Sequence, residues 1–102
     1  REFVFVDDIV DACLIIIKAP LLNNKLPINI GSGQEISIKL LAEKISKIIG
    51  YSGEFKWDQS KPDGVARKLL DSNRIKSLGW KHKVELDLGI SLTYKWYCDN
   101  TG

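Results

Sequence analysis

The sequence predicts an α/β fold, because segments typical of strands alternate with segments typical of helices along its 102 residues. The predicted order is strand, helix, strand, helix, strand, helix, helix, and such alternation is characteristic of the α/β class. The first strand and helix are apolar on nearly every side, so we expect them to form the edge of a larger sheet. A chain of this size forms one small domain at most, or a piece of one.

The first predicted element is a strand over residues 1–6, in which the side chains on both faces are apolar. Asp7 and Asp8 follow, and because Asp is a common helix cap we predict a helix from there to about Lys18. Cys13 lies in its apolar run and is predicted to be a small core residue. The apolar surface of this helix is wider than that of a lone surface helix, so its burial requires additional protein.

A loop marked by Asn23 and Asn24 leads to a short predicted strand at residues 28–30. The next helix is predicted to begin after Ser37, a capping residue, and to end at Gly50. Between these two residues the apolar side chains recur at helical spacing, which indicates a helix with one buried face.

The third predicted strand covers residues 53–58, where aromatic and charged side chains alternate. The stretch SKPDGVARKLLD follows over residues 60–71, and we name it the charged loop. Its last residue or Ser72 caps a short helix that ends at Gly79, and a final helix is predicted to begin near Asp87.

Composition excludes several classes of function. The 15 basic and 13 acidic residues are interleaved and leave a net charge of +2, so no broad field favours nucleic acid. The longest apolar run, residues 12–17, has six residues, whereas a membrane span needs about 20. Two separated Cys and one His cannot form a typical zinc site, and they fit a reducing, cytoplasmic setting. Since the sequence starts at Arg1 and has no Met, we expect a longer parent protein.

A dinucleotide-binding loop is not predicted at Gly31-x-Gly33, although this pair follows a strand and precedes a helix. The pyrophosphate motif needs a third Gly three residues later, and that position holds Ile36. We therefore predict a structural turn here and no cofactor-binding residue in the chain.

No catalytic set is predicted either. The Tyr-x-x-x-Lys pair of short-chain oxidoreductases is absent, because the residue four positions after each Tyr is Phe55, Cys98 or Thr101. His82 lies in a basic turn with no nucleophile motif near any Ser, so we expect an exposed loop residue.

The charged loop is the best candidate for ligand binding. Its Pro and Gly predict a turn that directs the Asp63 side chain, which can accept hydrogen bonds from a vicinal diol. Arg67 and Lys68 are adjacent cations that suit a diphosphate. The residues alone also allow a solvated, salt-bridged surface loop without a ligand.

The segments REFVFVDDIVDAC, NIGSGQEISIKLLAEKI, SKPDGVARKLLD and LGW, in this order, resemble the C-terminal part of the GDP-L-fucose synthase family. The resemblance continues to the terminal TYKWYCDN. It implies the C-terminal substrate-binding subdomain of an extended short-chain dehydrogenase/reductase. Residues 1–26 would then belong to or adjoin the dinucleotide-binding Rossmann domain, and residues 27–102 would form a small nucleotide-sugar-binding domain.

The same resemblance implies roles for named residues. Arg1 matches a family position that contacts the nucleotide-sugar, and Asp63 and Lys68 match positions that contact its GDP portion. Arg67 is an adjacent candidate. The family usually has Thr-Pro where this sequence has Val65-Ala66, so we expect a less rigid loop here.

For the whole protein the resemblance implies NADPH, a catalytic site upstream of this chain, a GDP-sugar substrate and a homodimer. No metal is expected, and the chain alone is expected to be inactive. Two alternatives stay open: another nucleotide-sugar enzyme, such as a UDP-sugar 4-epimerase or a GDP-mannose dehydratase, and a free-standing binding module. In the module, the apolar first helix would dock a partner.

Overall fold

The computed structural model describes residues 1–19 and 27–101. Helices are the regular elements in these two ranges: α1 Val6–Lys18, α2 Ile38–Ile49, α3 Asn73–Ser77 and α4 Leu86–Thr101. All four were predicted from the sequence. The predicted loop at Asn23 and Asn24 lies outside the described residues, as does the predicted domain boundary at residue 26.

The three predicted strands do not form in the described residues, which contain a single isolated antiparallel bridge between Glu2 and Glu35. A strand needs a neighbour that pairs along its length, because otherwise its N–H and C=O groups have no partner. Residues 1–6 find such a neighbour at one position only, and residues 53–58 are exposed throughout. Sequence alternation alone therefore overstated the strand content of this chain.

Local signals set the ends of α2 as predicted. The Ser37 hydroxyl accepts a hydrogen bond from the Leu40 amide at 3.1 Å, which satisfies one free donor of the first turn. At the other end Gly50 has a φ of 74°, a left-handed conformation that glycine adopts without steric penalty.

The beginning of α1 differs from the prediction. Phe5 occupies the cap position, and no side chain there accepts a hydrogen bond from the first turn. Asp8 instead lies inside the helix with its side chain buried, so the proposed capping role of Asp7 and Asp8 was wrong.

The Asp8 carboxylate joins α1 to the segment that precedes α4. Its two oxygens accept hydrogen bonds from the Lys83 amide at 3.1 Å and from the Val84 amide at 3.0 Å. The Asp8 carbonyl oxygen accepts a third bond, from the indole Nε1 of Trp80 at 2.8 Å. Asp8 is 2% exposed, so these bonds compensate for burying a charged group.

A small core forms where α1 meets α3 and the residues after it. Ala12, Ile75 and Trp80 are its buried members. Partly buried apolar side chains surround them: Val4, Ile15, Ile16, Ile28, Ile30 and Leu78. Cys13 is exposed and outside this core, which corrects the prediction, because its side chain points away from the face of α1 that contains Ala12.

The rest of α1 carries an exposed apolar stripe formed by Val6, Val10, Leu14 and Ile17. These residues are three or four positions apart and so share one face of the helix. Ile17 is 77% exposed, far more than is usual for a large aliphatic residue. In the part of the chain that the structure describes, no helix has both the length and the apolar character needed to cross a membrane.

Candidate site at the charged loop

Three segments meet around the charged loop. The backbone of Arg1 pairs with that of Ile36: the Arg1 nitrogen donates to the Ile36 carbonyl at 2.7 Å, and the Ile36 amide donates to the Arg1 carbonyl at 2.8 Å. This pairing places the first two residues against the turn at residues 31–36. The charged loop lies over both segments.

The Glu2 side chain connects all three segments. One carboxylate oxygen accepts the Gly33 amide at 2.6 Å, and the other accepts the Leu70 amide of the charged loop at 3.2 Å. At Gly31 a Cβ atom would lie 2.5 Å from a Glu2 carboxylate oxygen, so a larger residue would displace this group. Glycine is therefore needed at Gly31 for the close approach of Glu2.

The Glu35 side chain binds the loop at a second point. Its two oxygens accept hydrogen bonds from Arg67, at 2.9 Å from Nε and 2.5 Å from Nη2. This bidentate geometry is the strongest that a guanidinium and a carboxylate can form. The pair raises the pKa of Arg67 and lowers that of Glu35, in both cases mainly through the hydrogen bonds.

The four predicted site residues lie on or beside the charged loop. The Arg1 guanidinium lies 2.9 Å from the position that a Cβ atom would take at Gly64. The turn predicted from Pro62 and Gly64 was wrong, since the chain turns earlier, at residues 59–60. Asp63 and Lys68 are exposed, and Arg67 is bound to Glu35. The structure thus brings Arg1 to the same surface as the loop, although the two are far apart in sequence.

The turn at Gly31 and Gly33 has one of its backbone donors occupied. Phosphate loops use free backbone N–H groups to bind an anion. Here the Gly33 amide already donates to the Glu2 carboxylate. A negative charge therefore occupies the position that a pyrophosphate would need.

His82 differs from the prediction of an exposed loop residue. Its side chain is 12% exposed, and its Nε2 lies 3.4 Å from a Glu85 carboxylate oxygen. It lines a cleft of about 580 Å³ with the Glu35 and Lys44 side chains. Within residues 1–19 and 27–101, no group of three or more His, Cys, Asp or Glu side chains is arranged to hold a metal ion.

Sequence reasoning did not identify Glu2 and Glu35 as site residues. Each is a single acidic residue beside an apolar one, a pattern that indicates no particular chemistry. The Gly-rich turn next to Glu35 was the one sequence signal for such a contact, since glycine often permits close approach of a side chain. Their pairing with the charged loop depends on long-range contacts that no local pattern reveals.

We expect the Glu35 carboxyl to titrate below its ordinary pKa of 4.5, because the Arg67 hydrogen bonds favour the ionised form. A carboxyl whose pKa is lower in the folded state stabilises that state above its unfolded pKa. This contribution disappears as the pH falls through the folded value. NMR of the full-length protein, following the Glu35 carboxyl ¹³C shift against pH, measures this pKa. The Arg67→Gln variant is the comparison. Overlapping curves for the two proteins would contradict the assigned cause.

No protein-family model matches the chain. It is 47% identical to GDP-L-fucose synthase 1 of Arabidopsis thaliana over 100 residues, which is 98% of this chain and 30% of that protein. The chain therefore spans less than a third of the length of this relative.

Two solved structures superpose on the chain. A GDP-mannoheptose C4 reductase from Campylobacter jejuni, solved with NADP bound, has a TM-score of 0.78 and 38% identity over 96% of this chain and 31% of its own. A UDP-glucose 4-epimerase from Thermotoga maritima, solved with UDP-glucose, has a TM-score of 0.88 and 29% identity over 100% of this chain and 32% of its own. These matches confirm the predicted resemblance and fold class, the C-terminal part of an extended short-chain dehydrogenase/reductase.

Proposed function

We propose, from the agreement of this chain with the C-terminal part of GDP-L-fucose synthases, that it is the substrate-binding part of a longer enzyme of this kind. The enzyme would convert GDP-4-keto-6-deoxy-D-mannose to GDP-L-fucose with NADPH. The observation that carries this proposal is the match over nearly the whole chain to a relative of that name. Relatives and structural neighbours that process GDP-sugars support the broader class of GDP-sugar epimerases and reductases.

In this proposal the charged loop and Arg1 bind the GDP portion. Lys68 supplies a point charge and Arg1 a planar fork of donors for the diphosphate. The Asp63 carboxylate accepts hydrogen bonds from the ribose diol. Support comes from the position of Arg1 beside Gly64 of the loop and from the exposure of Asp63 and Lys68.

The reacting groups are proposed to lie upstream of Arg1, as does the site for NADPH, which supplies a hydride when bound. The chain has no Tyr-x-x-x-Lys pair, and its Gly31 turn already holds a carboxylate. The role of this chain is therefore to bind and orient the nucleotide-sugar, and the chain by itself is inactive. NADP in a related reductase structure supports the choice of cofactor.

The proposed partners follow from the same reading. An N-terminal Rossmann domain covers the exposed apolar stripe of α1. Removing the side chains of this stripe from water lowers the free energy of the protein. We place the full protein in the cytoplasm as a homodimer.

A second candidate is a UDP-sugar 4-epimerase, favoured by the superposition on the Thermotoga maritima UDP-glucose 4-epimerase. The C-terminal part of both kinds of enzyme has the same fold, so the nucleotide must discriminate between them. Titrating the full-length protein with GDP and with UDP makes this comparison directly. A reductase assay with GDP-4-keto-6-deoxy-D-mannose, following NADPH absorbance, then tests the reaction.

We expect GDP to bind more tightly than UDP and NADPH to be consumed only when the keto-sugar is present. A preference for UDP would support the epimerase. If the full-length protein bound neither nucleotide, the function would have to be sought in a binding module that uses the α1 stripe.

A further inference from the structure

We infer that Glu2 and Glu35 are positioning residues that hold the charged loop, and that Arg67 acts by binding Glu35 and makes no direct contact with the ligand. This inference rests on the proposed function, because the loop residue that they position is Lys68. The two adjacent cations then have different roles: Arg67 binds Glu35, and Lys68 is available to the ligand.

The two carboxylates are placed together by the fold. Glu2 and Glu35 are the partners of the isolated antiparallel bridge, so their backbones are adjacent. From this common base their side chains bind the charged loop at two points, Glu35 at Arg67 and Glu2 at the Leu70 amide. The two adjacent carboxylates therefore bind the loop on both sides of Lys68.

The hydrogen bonds of Arg67 show why it is the held residue. Its Nε and Nη2 groups both donate to Glu35, which uses one edge of the guanidinium completely. To bind a phosphate with that edge, Arg67 would have to give up both bonds and leave Glu35 near the anion. Lys68 is exposed and has no such cost. The loop contains no helix or strand, so side-chain bonds such as these contribute to its order.

The experiment compares Glu35→Gln, Arg67→Gln and the double variant in the full-length protein. GDP affinity is measured by titration, and amide exchange of the charged loop by mass spectrometry. The exposed pair Lys95–Asp99 on α4, with an N–O distance of 2.7 Å, is the matched control, as Lys95→Met and Asp99→Asn. A charge-swapped protein, Glu35→Arg with Arg67→Glu, tests rescue.

Both single variants are expected to weaken GDP binding by up to about fivefold, the upper end of the range for an exposed ion pair. The double variant should be no weaker than either one, because the two residues act as a unit. Exchange at residues 68–70 should accelerate in all three, the swap should restore part of the affinity, and the control variants should match the wild type.

Weaker binding in Arg67→Gln with normal binding in Glu35→Gln would mean that Arg67 contacts the ligand, and would overturn the inference. Unchanged exchange in both single variants would overturn it as well. If the wild type bound no GDP but exchange still accelerated, the positioning role would stand and the proposed function would fail. Exchange therefore distinguishes the two failures.

Discussion

Replacing Asp8 with alanine is expected to lower the free energy of unfolding by about 2–6 kcal/mol, since two backbone donors lose their charged acceptor at about 1–3 kcal/mol each. The donors are the amides of Lys83 and Val84. Asp8 is almost fully buried, so water cannot easily replace the carboxylate. Asp8→Asn should destabilise the fold less, because the side-chain amide keeps one acceptor oxygen. Some cost remains, because its NH₂ group faces a backbone N–H donor.

The measurement is thermal unfolding of the full-length protein together with amide exchange at Lys83 and Val84. Asp7→Asn is the matched control, because Asp7 is the adjacent residue of the same helix and is exposed. Faster exchange at Lys83 and Val84 in the Asp8 variants alone would locate the effect. Equal stability of the Asp7 and Asp8 variants would show that the buried bonds contribute nothing.

Replacing Lys68 with methionine is expected to weaken GDP binding by about 10–100-fold, since a charge-assisted hydrogen bond contributes about 1.5–3 kcal/mol. Methionine keeps most of the aliphatic length and removes the charge. The side chain is exposed in the described structure, so thermal stability should be unchanged. The affinity loss should also shrink at high salt, where the wild-type charge is screened.

Calorimetric titration with GDP at two salt concentrations measures both effects. Lys61→Met provides the control, because Lys61 is an exposed cation of the same loop with no proposed role. Equal losses in the two variants would indicate a diffuse charge effect, and no loss in Lys68→Met would remove Lys68 from the site.

The helices were predictable because their signals are local. Ser37 and Gly50 mark the ends of α2 through side-chain capping and backbone conformation, which act within one turn. The strands were not predictable, because a strand exists only where a neighbour pairs with it. Residues 53–58 alternate like a strand and still remain exposed and unpaired within the described structure.

The candidate site also combines features that were predictable from local sequence with features that depend on distant residues. The cations of the charged loop were visible in the sequence as residue types with known chemistry, whereas the turn predicted from Pro62 and Gly64 does not form and the chain turns at residues 59–60 instead. The roles of Glu2, Glu35 and Asp8 were hidden, because each depends on a partner distant in the chain. Asp8 was assigned to a helix cap since Asp at the start of a helix usually caps it, and burial against Lys83 overrode this preference.

The distance along the chain between Asp8 and Lys83, 75 residues, has a consequence for folding. Contacts between distant residues form late, because the intervening chain must first lose its freedom. During synthesis α1 emerges early, but Asp8 can form its bonds to the Lys83 and Val84 amides only after residue 84 has left the ribosome. The Glu2–Leu70 bond spans 68 residues and has the same constraint. We expect a ribosome-bound chain that ends before residue 80 to expose α1 to chaperones and proteases.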